Sequence, residues 1–384
     1  MPNSSFTRFH HLDMLRGCAA LLVCIGHIRG FVLINYGHLD APTILETSFY
    51  AVTSLGHQAV IIFFALSGFL VGGQVFDGIR QQHWNVLSYL IRRLCRLWIV
   101  AVPALALTFF WDSVGMLGPG SIGYDGVWQN DLASGPSVNQ PVDHTLTTLL
   151  ANIFFLQTIT VPIFGNNGPM WSLANEFWYY LLFPALVYSA IGGGTNLKRI
   201  LALAIGALII WLLPYQILAL GFIWLFGALS MVWRKVIVAI IPPAAMVIFV
   251  STSFLSALIY SMVSRGLMSD LVLGSVCAIS LPFLCTLPSF GRHYERLSSV
   301  LSEMSYTLYV VHFPILAAIC FNFIGPNKQI LSGSTAALMT ILLAGSMLYA
   351  FVIWWCFERN TVRLRRWIEH IFLIQSENKK VKTD

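Results

Sequence analysis

LDMLRG (Leu12–Gly17) opens the first long apolar run of this chain, which continues to GHI (Gly26–Ile28) and predicts the fold class. The run is long enough for a membrane-spanning helix, and it carries an arginine near its start and a histidine eleven residues later. At about 100° per residue, eleven residues make close to three turns, so Arg16 and His27 are predicted to share one helix face. At about 1.5 Å per residue, His27 lies roughly 16 Å deeper, near the middle of a hydrocarbon core about 30 Å thick. Ionisable groups at such a depth cost free energy, so both residues are candidates for a functional site.

The composition of the whole chain follows the pattern of this first run. The 384 residues are 57% hydrophobic and only 10% charged, and the mean hydropathy is +0.75. Apolar stretches of about twenty residues recur from residue 12 to residue 357, which is typical of spanning helices and not of the short alternating segments of a β-barrel. We therefore predict an all-α polytopic membrane protein whose first run is a retained helix and not a signal peptide.

Cysteine usage and net charge exclude two other classes of site. Seven cysteines are scattered through apolar runs without a CxxC pair, so we expect small core residues rather than a disulfide framework or a metal site. The net charge of +6 is explained by basic residues flanking the predicted helices, so we expect contact with membrane lipids and no nucleic-acid partner.

Charge also predicts which side of the membrane each loop occupies. Four arginines between residues 80 and 96 follow the second apolar run, whereas residues 35–48 and 113–145 carry acidic side chains and no lysine or arginine. Because basic residues are enriched in cytoplasmic loops, the N-terminus and the arginine-rich segment are predicted to be cytoplasmic and the acidic loop external.

The apolar segment Leu146–Phe164 decides the rest of the topology. If it spanned the membrane, every later basic cluster would face outward; if it lies at the interface or re-enters, they all face inward, which is the arrangement we predict. About ten transmembrane helices then result, with both termini cytoplasmic, in a single membrane domain at 1–370 and a solvated cytoplasmic tail at 371–384. The predicted spans are 12–34, 53–76, 94–111, 171–191, 199–213, 217–233, 236–254, 268–286, 303–322 and 333–357.

The first helix offers the clearest candidate for chemistry. His27 is either a histidine hydrogen-bonded inside the bundle or a general base or nucleophile, since an imidazole suits proton transfer near neutral pH. Arg16 is either a snorkelling side chain or part of the same site. Asp13, three residues earlier on the same face, is positioned to hold Arg16 in place.

Two further motifs lie in the next two helices. In FFALSGFL, Ser67 and Gly68 indicate either close helix packing or a serine–glycine step that presents a donor to a ligand. In RRLCR, the guanidinium groups of Arg92, Arg93 and Arg96 suit either a cytoplasmic anchor or a polyanionic phosphate ligand.

The second half of the chain adds two motifs. In WSLANEFWYY the aromatic residues fit an interfacial belt, and Glu176 is positioned near the outer boundary, where it could orient a histidine or an acceptor hydroxyl. In SYTLYVVHFP, His312 is a second intramembrane histidine one turn from Tyr309, and a hydrogen-bonded core pair is the alternative to a functional part.

Taken together, these segments resemble the acyltransferase-3 family of integral-membrane O-acyltransferases. The likeness rests on the order of the motifs, from LDMLRG and GHI through FFALSGFL, RRLCR, WSLANEFWYY and SYTLYVVHFP to FERN at Glu358. WSLANEFWYY departs from the more usual WSLSVEEQFY, and FERN departs from the usual glutamate–basic–proline ending. Glu358 is therefore assigned no catalytic part.

The resemblance implies an O-acetyltransferase of the bacterial cytoplasmic (inner) membrane. Acetyl-CoA or another short acyl-CoA would be a co-substrate, with no permanently bound cofactor, and the acceptor would be a sugar hydroxyl of a surface polysaccharide or lipid-linked glycan. Arg16 and His27 carry the family's essential pair, His27 acting as general base or as transient acyl acceptor. Arg93 and Arg96 match the motif tied to the acyl donor.

Two alternatives to this enzyme remain at the level of sequence. The first is a proton-coupled transporter, with His27, Glu176 and His312 as a proton relay. The arginine triplet and the absence of a detectable internal repeat disfavour it. The second is a catalytically dead scaffold, which the presence of both Arg16 and His27 disfavours.

Overall fold

The computed structural model describes residues 8–130, 132, 134–240 and 243–380, with the side chains of residues 240, 243–246 and 372–380 outside that description. This part of the chain contains fifteen α-helices and no β-strand, which confirms the all-α prediction. In chain order the helices are α1 (His10–Val32), α2 (Ile44–Thr53), α3 (Gly56–Ser67), α4 (Gly73–Arg80), α5 (Val86–Met116), α6 (Leu146–Ile153), α7 (Trp171–Ile191), α8 (Asn196–Leu212), α9 (Tyr215–Val232), α10 (Arg234–Ile240), α11 (Pro243–Val263), α12 (Leu267–Leu284), α13 (Arg292–Phe323), α14 (Gly333–Cys356) and α15 (Thr361–Lys380).

Seven helical segments in the described residues are long and apolar enough to cross a membrane, so the chain is an integral membrane protein. They are His10–Val32, Ile44–Arg80, Val86–Met116, Tyr215–Val232, Leu267–Leu284, Arg292–Phe323 and Gly333–Ile371. A shorter apolar helix covers Val247–Val263. The total of ten spans and the cytoplasmic position of both termini stay predictions.

Local capping chemistry explains where several helices begin. The side chain of Asn85 accepts a hydrogen bond from the Ser88 amide at 2.9 Å, so α5 begins at Val86 and not at the predicted residue 94. The predicted start at residue 94 followed the rise in hydropathy along the sequence. The Asn85 cap begins the helix about two turns earlier, where hydropathy is still low. As a result Arg92 and Arg93 lie inside α5 together with Arg96, and not in front of the helix.

The segment Leu146–Phe164 does not form a spanning helix. After the Thr145 cap, α6 has eight residues, or roughly 12 Å, against a hydrocarbon core of about 30 Å. The chain then turns through positive φ at Phe155 and Thr158. This agrees with the non-spanning alternative that the charge pattern favoured.

The described chain divides into two compact units. The first contains the residues up to Gly26, Ile44–Arg80 and Leu181–Ser305. The second contains His27–Thr43, Gln81–Tyr180 and the chain from Tyr306 onward. The predicted boundary between a domain at 1–370 and a tail at 371–384 stays a prediction, because the side chains from residue 372 lie outside the described residues.

In the first unit, small residues let helices approach each other closely. A π-helical turn at Gly68–Gly72 separates α3 from α4 and packs on α9. A Cβ atom on Gly68 would lie 1.8 Å from the carbonyl oxygen of Trp224, and one on Gly227 would lie 2.1 Å from that of Ala65. The two helix backbones are therefore in contact at a site that only glycine permits.

In the second unit, the loop after α5 packs against α13. The Gly120 amide donates to Asn322 Oδ1 at 2.9 Å, and the rings of Tyr124 and Trp128 each lie 5.1 Å from that of Phe321, measured between centroids. The described residues at the start of this predicted external loop therefore contact α13 within their own unit.

Candidate active site

Two histidines meet inside the second unit. His27 Nδ1 lies 2.8 Å from His312 Nε2, although the residues are 285 positions apart in the chain. His312 is completely buried, and its Nδ1 lies 2.8 Å from the Leu308 carbonyl oxygen one turn earlier in α13. His27 is only half-buried. The arrangement joins the imidazole of a partly exposed residue to a buried imidazole that is hydrogen-bonded to the backbone.

Aromatic and polar residues of α13 surround this pair. The Phe313 ring stands nearly perpendicular to the His27 ring, at 84° with centroids 5.0 Å apart. The ring centroids of Tyr309 and His312 lie 6.5 Å apart. The Tyr309 hydroxyl donates to the Pro169 carbonyl at 2.9 Å and lies 2.8 Å from Ser172 Oγ. Tyr309 therefore connects α13 to the start of the WSLANEFWYY motif.

The arginine triplet lies in α5 of the same unit, and each member has a different environment. Arg92 is exposed, whereas Arg93 and Arg96 are half-buried. The Arg93 guanidinium carbon lies 5.6 Å from the ring centroids of both Tyr89 and Tyr180, within the range of a cation–π interaction. Arg92 lies in the electrostatic neighbourhood of Arg365 and Glu369 in α15. This end of α5 therefore presents cationic groups from two helices.

Arg96 is surrounded by acidic and phenolic side chains. The carboxylates of Glu176 and Glu358 act on its charge, and the phenol groups of Tyr180 and Tyr306 lie in the same neighbourhood. Glu358 is buried and accepts a hydrogen bond from the Thr307 hydroxyl at 2.5 Å. Glu358, to which sequence reasoning assigned no catalytic part, therefore supplies a counter-charge to the deepest arginine of the triplet.

Glu176 lies in the second turn of α7, and its place near the outer boundary stays a prediction. Its carboxylate accepts a hydrogen bond from the Tyr180 hydroxyl one turn later. Its charge also acts on Arg96 and on Tyr309. Glu176 thus belongs to the electrostatic environment of the arginine triplet as well as to that of α13.

Arg16 and Asp13 lie in the first unit, in the first half of α1. Asp13 Oδ1 accepts from Ser302 Oγ at 2.8 Å, and Asp13 Oδ2 pairs with Arg8 Nε at 2.6 Å. Arg16 Nη1 reaches the same Ser302 hydroxyl at 3.5 Å. Ser302 of α13 therefore links the two charged residues of α1, a connection that the spacing of three residues did not predict.

Ser67 and Gly68 take part in helix packing. Ser67 Oγ accepts a hydrogen bond from the Trp224 indole at 3.2 Å, and Gly68 faces the backbone of the same tryptophan. Of the two alternatives for this motif, the geometry favours close packing over the presentation of a ligand.

Two aspartate–histidine pairs were missed by sequence reasoning. His57 Nε2 lies 2.9 and 3.0 Å from the two Asp270 oxygens in the first unit. His144 Nε2 lies 2.8 Å from Asp112 Oδ2 in the second unit. Each aspartate is the lone acid within an apolar helix, which is the signal that could have drawn attention to it. Within the described residues, no group of three acidic, histidine or cysteine side chains could hold a metal ion.

Comparison with known proteins agrees with the motif order. A family model described as an acyltransferase domain matches residues 9–356, which is nearly the whole chain. Comparison with curated proteins gives no match, and comparison with solved structures gives none either. The matched residues contain α1 with His27, the arginine triplet of α5 and α13 with His312. The chain therefore belongs to the acyltransferase-3 family, and it is a membrane acyltransferase.

Proposed function

We propose that this protein is an O-acyltransferase that moves an acetyl or other short acyl group from acyl-CoA to a sugar hydroxyl. The acceptor would be a surface polysaccharide or a lipid-linked glycan, and the enzyme would reside in a bacterial cytoplasmic membrane. The observation that carries the proposal is the half-buried His27, bonded at 2.8 Å to a histidine that is completely buried. Family membership favours this reaction over a proton-coupled transporter.

His27 is proposed as the group that handles the acceptor proton. An accessible imidazole can remove the hydroxyl proton while the oxygen attacks the thioester, or it can accept the acyl group first and pass it on. Both routes need a neutral ring whose orientation is fixed, and the contacts with His312 and Phe313 supply that support. Arg16 is proposed as a second essential residue, with its guanidinium held by Ser302.

The arginine triplet is proposed as the binding site for the donor phosphates. Guanidinium groups bind phosphate oxygens through paired hydrogen bonds, and the phosphates of CoA cannot enter hydrocarbon. Arg92 is exposed to solvent, and Arg93 is held between two tyrosine rings, so both present donors at the predicted cytoplasmic end of α5. Arg96 lies further along α5 than Arg92 and Arg93, near acidic groups, and is proposed to stabilise this end of the donor site from its inner side.

Transfer of label from acetyl-CoA tests the proposal. Protein purified into nanodiscs receives radiolabelled acetyl-CoA and glycans from the producing strain, and base-labile label on the glycan is counted. His27→Ala is expected to lose about 10²–10⁴-fold in rate, the usual contribution of a general base. His83→Ala, at an exposed histidine in the loop before α5, is the matched control and is expected to keep full activity.

The donor site has its own readout in the same assay. Arg93→Ala is expected to raise the KM for acetyl-CoA about tenfold or more, through loss of a charge-assisted bond worth about 1.5–3 kcal/mol.

Full activity in His27→Ala, with its folded yield unchanged, would overturn the assignment of the site. The glycan of a deletion strain, compared with wild type by NMR for O-acetyl signals, identifies the acceptor.

A further inference from the structure

We propose that His312 is a positioning residue that fixes which nitrogen of His27 carries the proton. In this arrangement His27 holds its hydrogen on Nδ1 and presents the lone pair of Nε2. The consequence for catalysis rests on the function proposed above, whereas the protonation pattern itself follows from the geometry alone.

The argument starts at the backbone of α13. His312 Nδ1 lies 2.8 Å from the Leu308 carbonyl oxygen, and a carbonyl oxygen can only accept a hydrogen bond. The hydrogen of the neutral His312 ring is therefore on Nδ1. Its other nitrogen, Nε2, then carries a lone pair and can only accept.

The second step transfers this constraint to His27. His312 Nε2 faces His27 Nδ1 at 2.8 Å, so the hydrogen between them must belong to His27. The ring planes are nearly parallel, at 18° to each other, and the ring centroids are 5.1 Å apart. Since the two nitrogens are only 2.8 Å apart, they lie between the two centroids and face each other. The hydrogen bond therefore joins the rings edge to edge, along the lone pair of Nε2.

The third step concerns access. His312 is completely buried, whereas the His27 residue keeps some exposed surface, so His27 is the member of the pair that we assign to the acceptor hydroxyl. With Nδ1 occupied, the nitrogen that remains for chemistry is Nε2. Phe313 packs edge-on against the His27 ring and restrains its rotation. The Leu308 carbonyl thus determines which nitrogen of His312 is protonated, and His312 in turn determines which nitrogen of His27 is basic.

This arrangement serves acyl transfer at a defined atom. The hydroxyl oxygen forms a bond to the acyl carbon, its proton moves to His27 Nε2, and the carbon–sulfur bond breaks. The proton then passes from Nε2 to the departing CoA thiolate. While His27 carries the extra proton, its Nδ1–H continues to donate to His312 Nε2, so the positive charge is stabilised by a hydrogen bond already in place.

Nitrogen NMR reads the protonation pattern without any activity measurement. Protein labelled with ¹⁵N-histidine in nanodiscs is compared with His27→Gln, which identifies the His27 signals among ten histidines. The expected result is a protonated Nδ1 and an unprotonated Nε2 on His27, and a change in that pattern in His312→Phe. A His27 ring protonated on Nε2 in the unaltered protein would overturn the inference. His83→Asn is the control and is expected to leave the His27 signals unchanged.

Two conservative variants separate positioning from mere packing. In His312→Gln the side-chain oxygen can take the place of Nε2 and accept from His27, so kcat is expected to fall less than tenfold. In His312→Asn the shorter side chain cannot reach, so kcat is expected to fall about 10²-fold or more, with an unchanged KM for acyl-CoA. Equal kcat values for the two variants would contradict the inference.

The outcomes also distinguish this inference from the proposed function. If His27→Ala is inactive while all His312 variants are fully active, the function stands and the positioning role fails. If His27→Ala is fully active, the function assigned to the site fails, while the NMR result still decides the protonation pattern. If the His312 variants do not fold, the spectrum of the unaltered protein remains the test.

Discussion

The hydroxyl of Thr307 donates a 2.5 Å hydrogen bond to the carboxylate of Glu358, 51 positions later in the chain. The Thr307 amide lies 3.3 Å from the same oxygen. Both residues are buried, and the carboxylate acts on the charge of Arg96. The closing motif of the chain is thus attached to α13 and to the arginine triplet of α5 within one unit.

Removing this buried carboxylate is expected to destabilise the protein strongly. Glu358→Gln weakens the hydrogen bond that the carboxylate accepts from Thr307 and removes counter-charge near Arg96, and losing a hydrogen bond to a charged group typically costs about 1.5–3 kcal/mol. We expect a clear fall in the thermal midpoint, measured by tryptophan fluorescence in detergent. Glu303→Gln is the control, because Glu303 is 49% exposed and its pair with Arg8 is worth about 0–1 kcal/mol. Equal midpoints for the two variants would contradict the structural role of Glu358.

Two glycines of spanning helices should respond to alanine in opposite ways. Gly68→Ala places a Cβ 1.8 Å from the Trp224 carbonyl oxygen, so α9 must move, and we expect a large loss of folded monomer in detergent size-exclusion chromatography. Gly345→Ala in α14 meets nothing within 4 Å. Because alanine favours a helix by about 1 kcal/mol over glycine, Gly345→Ala is expected to be neutral or stabilising. A normal yield of Gly68→Ala would show that the helices are less closely packed than described.

The segment around Asp143 should loosen in acid. Partial burial raises the pKa of Asp143, but hydrogen bonds from Thr148 and from Thr145 outweigh it, so the pKa lies below its ordinary value. A depressed pKa means that the stabilisation is fully present above about pH 4 and is lost as the pH falls through the lowered value. Amide exchange of residues 143–150, corrected for the intrinsic pH effect, is expected to rise below about pH 4.

Asp143→Asn is the matched control for this pH effect. Its side chain has no proton to gain in this range, so the corrected exchange rate should not depend on pH below 4. An acid-dependent rise of the same size in Asp143→Asn would assign the effect to another group.

Cysteine labelling tests the predicted sides of the membrane. Cys18 and Cys356 are the exposed native cysteines, so both are first replaced by serine. In that background Asn139→Cys, at an exposed position of the acidic loop, is expected to react with an impermeant maleimide on intact cells. Thr195→Cys, exposed beside Lys198 and Arg199, is expected to react only after permeabilisation. Reaction of Thr195→Cys on intact cells would reverse the topology.

Hydropathy and charge predicted the helical class, the position of α1 and the failure of residues 146–164 to span. Such properties depend on local composition, which a single sequence contains in full. The start of α5 was wrong because it depends on one capping side chain, Asn85, in a stretch where hydropathy is still low. The predicted span at 236–254 includes residues 241–242, which lie outside the described residues, so it stays a prediction.

The arrangement of the site could be predicted only in part. His27, His312 and the arginines were identified because charged or ionisable groups are costly in apolar runs. The bond between His27 and His312 joins residues 285 positions apart, and helical periodicity contains no information about such a pairing. The same reason explains why the bonds of the Tyr309 hydroxyl to Pro169 and Ser172, which lie more than 130 positions earlier, were not predicted.

The irregular chain between α6 and α7 has a consequence for biogenesis. Its Asn167 side chain donates to Thr108 of α5 and to the Val310 carbonyl of α13, which is 143 positions further along. Non-helical backbone is tolerated beside lipid only where protein partners cover it. Val310 is synthesised 143 residues after Asn167, so this segment must remain in polar surroundings until then. Its burial is therefore a late step of assembly, completed after the helix that carries His312 has emerged.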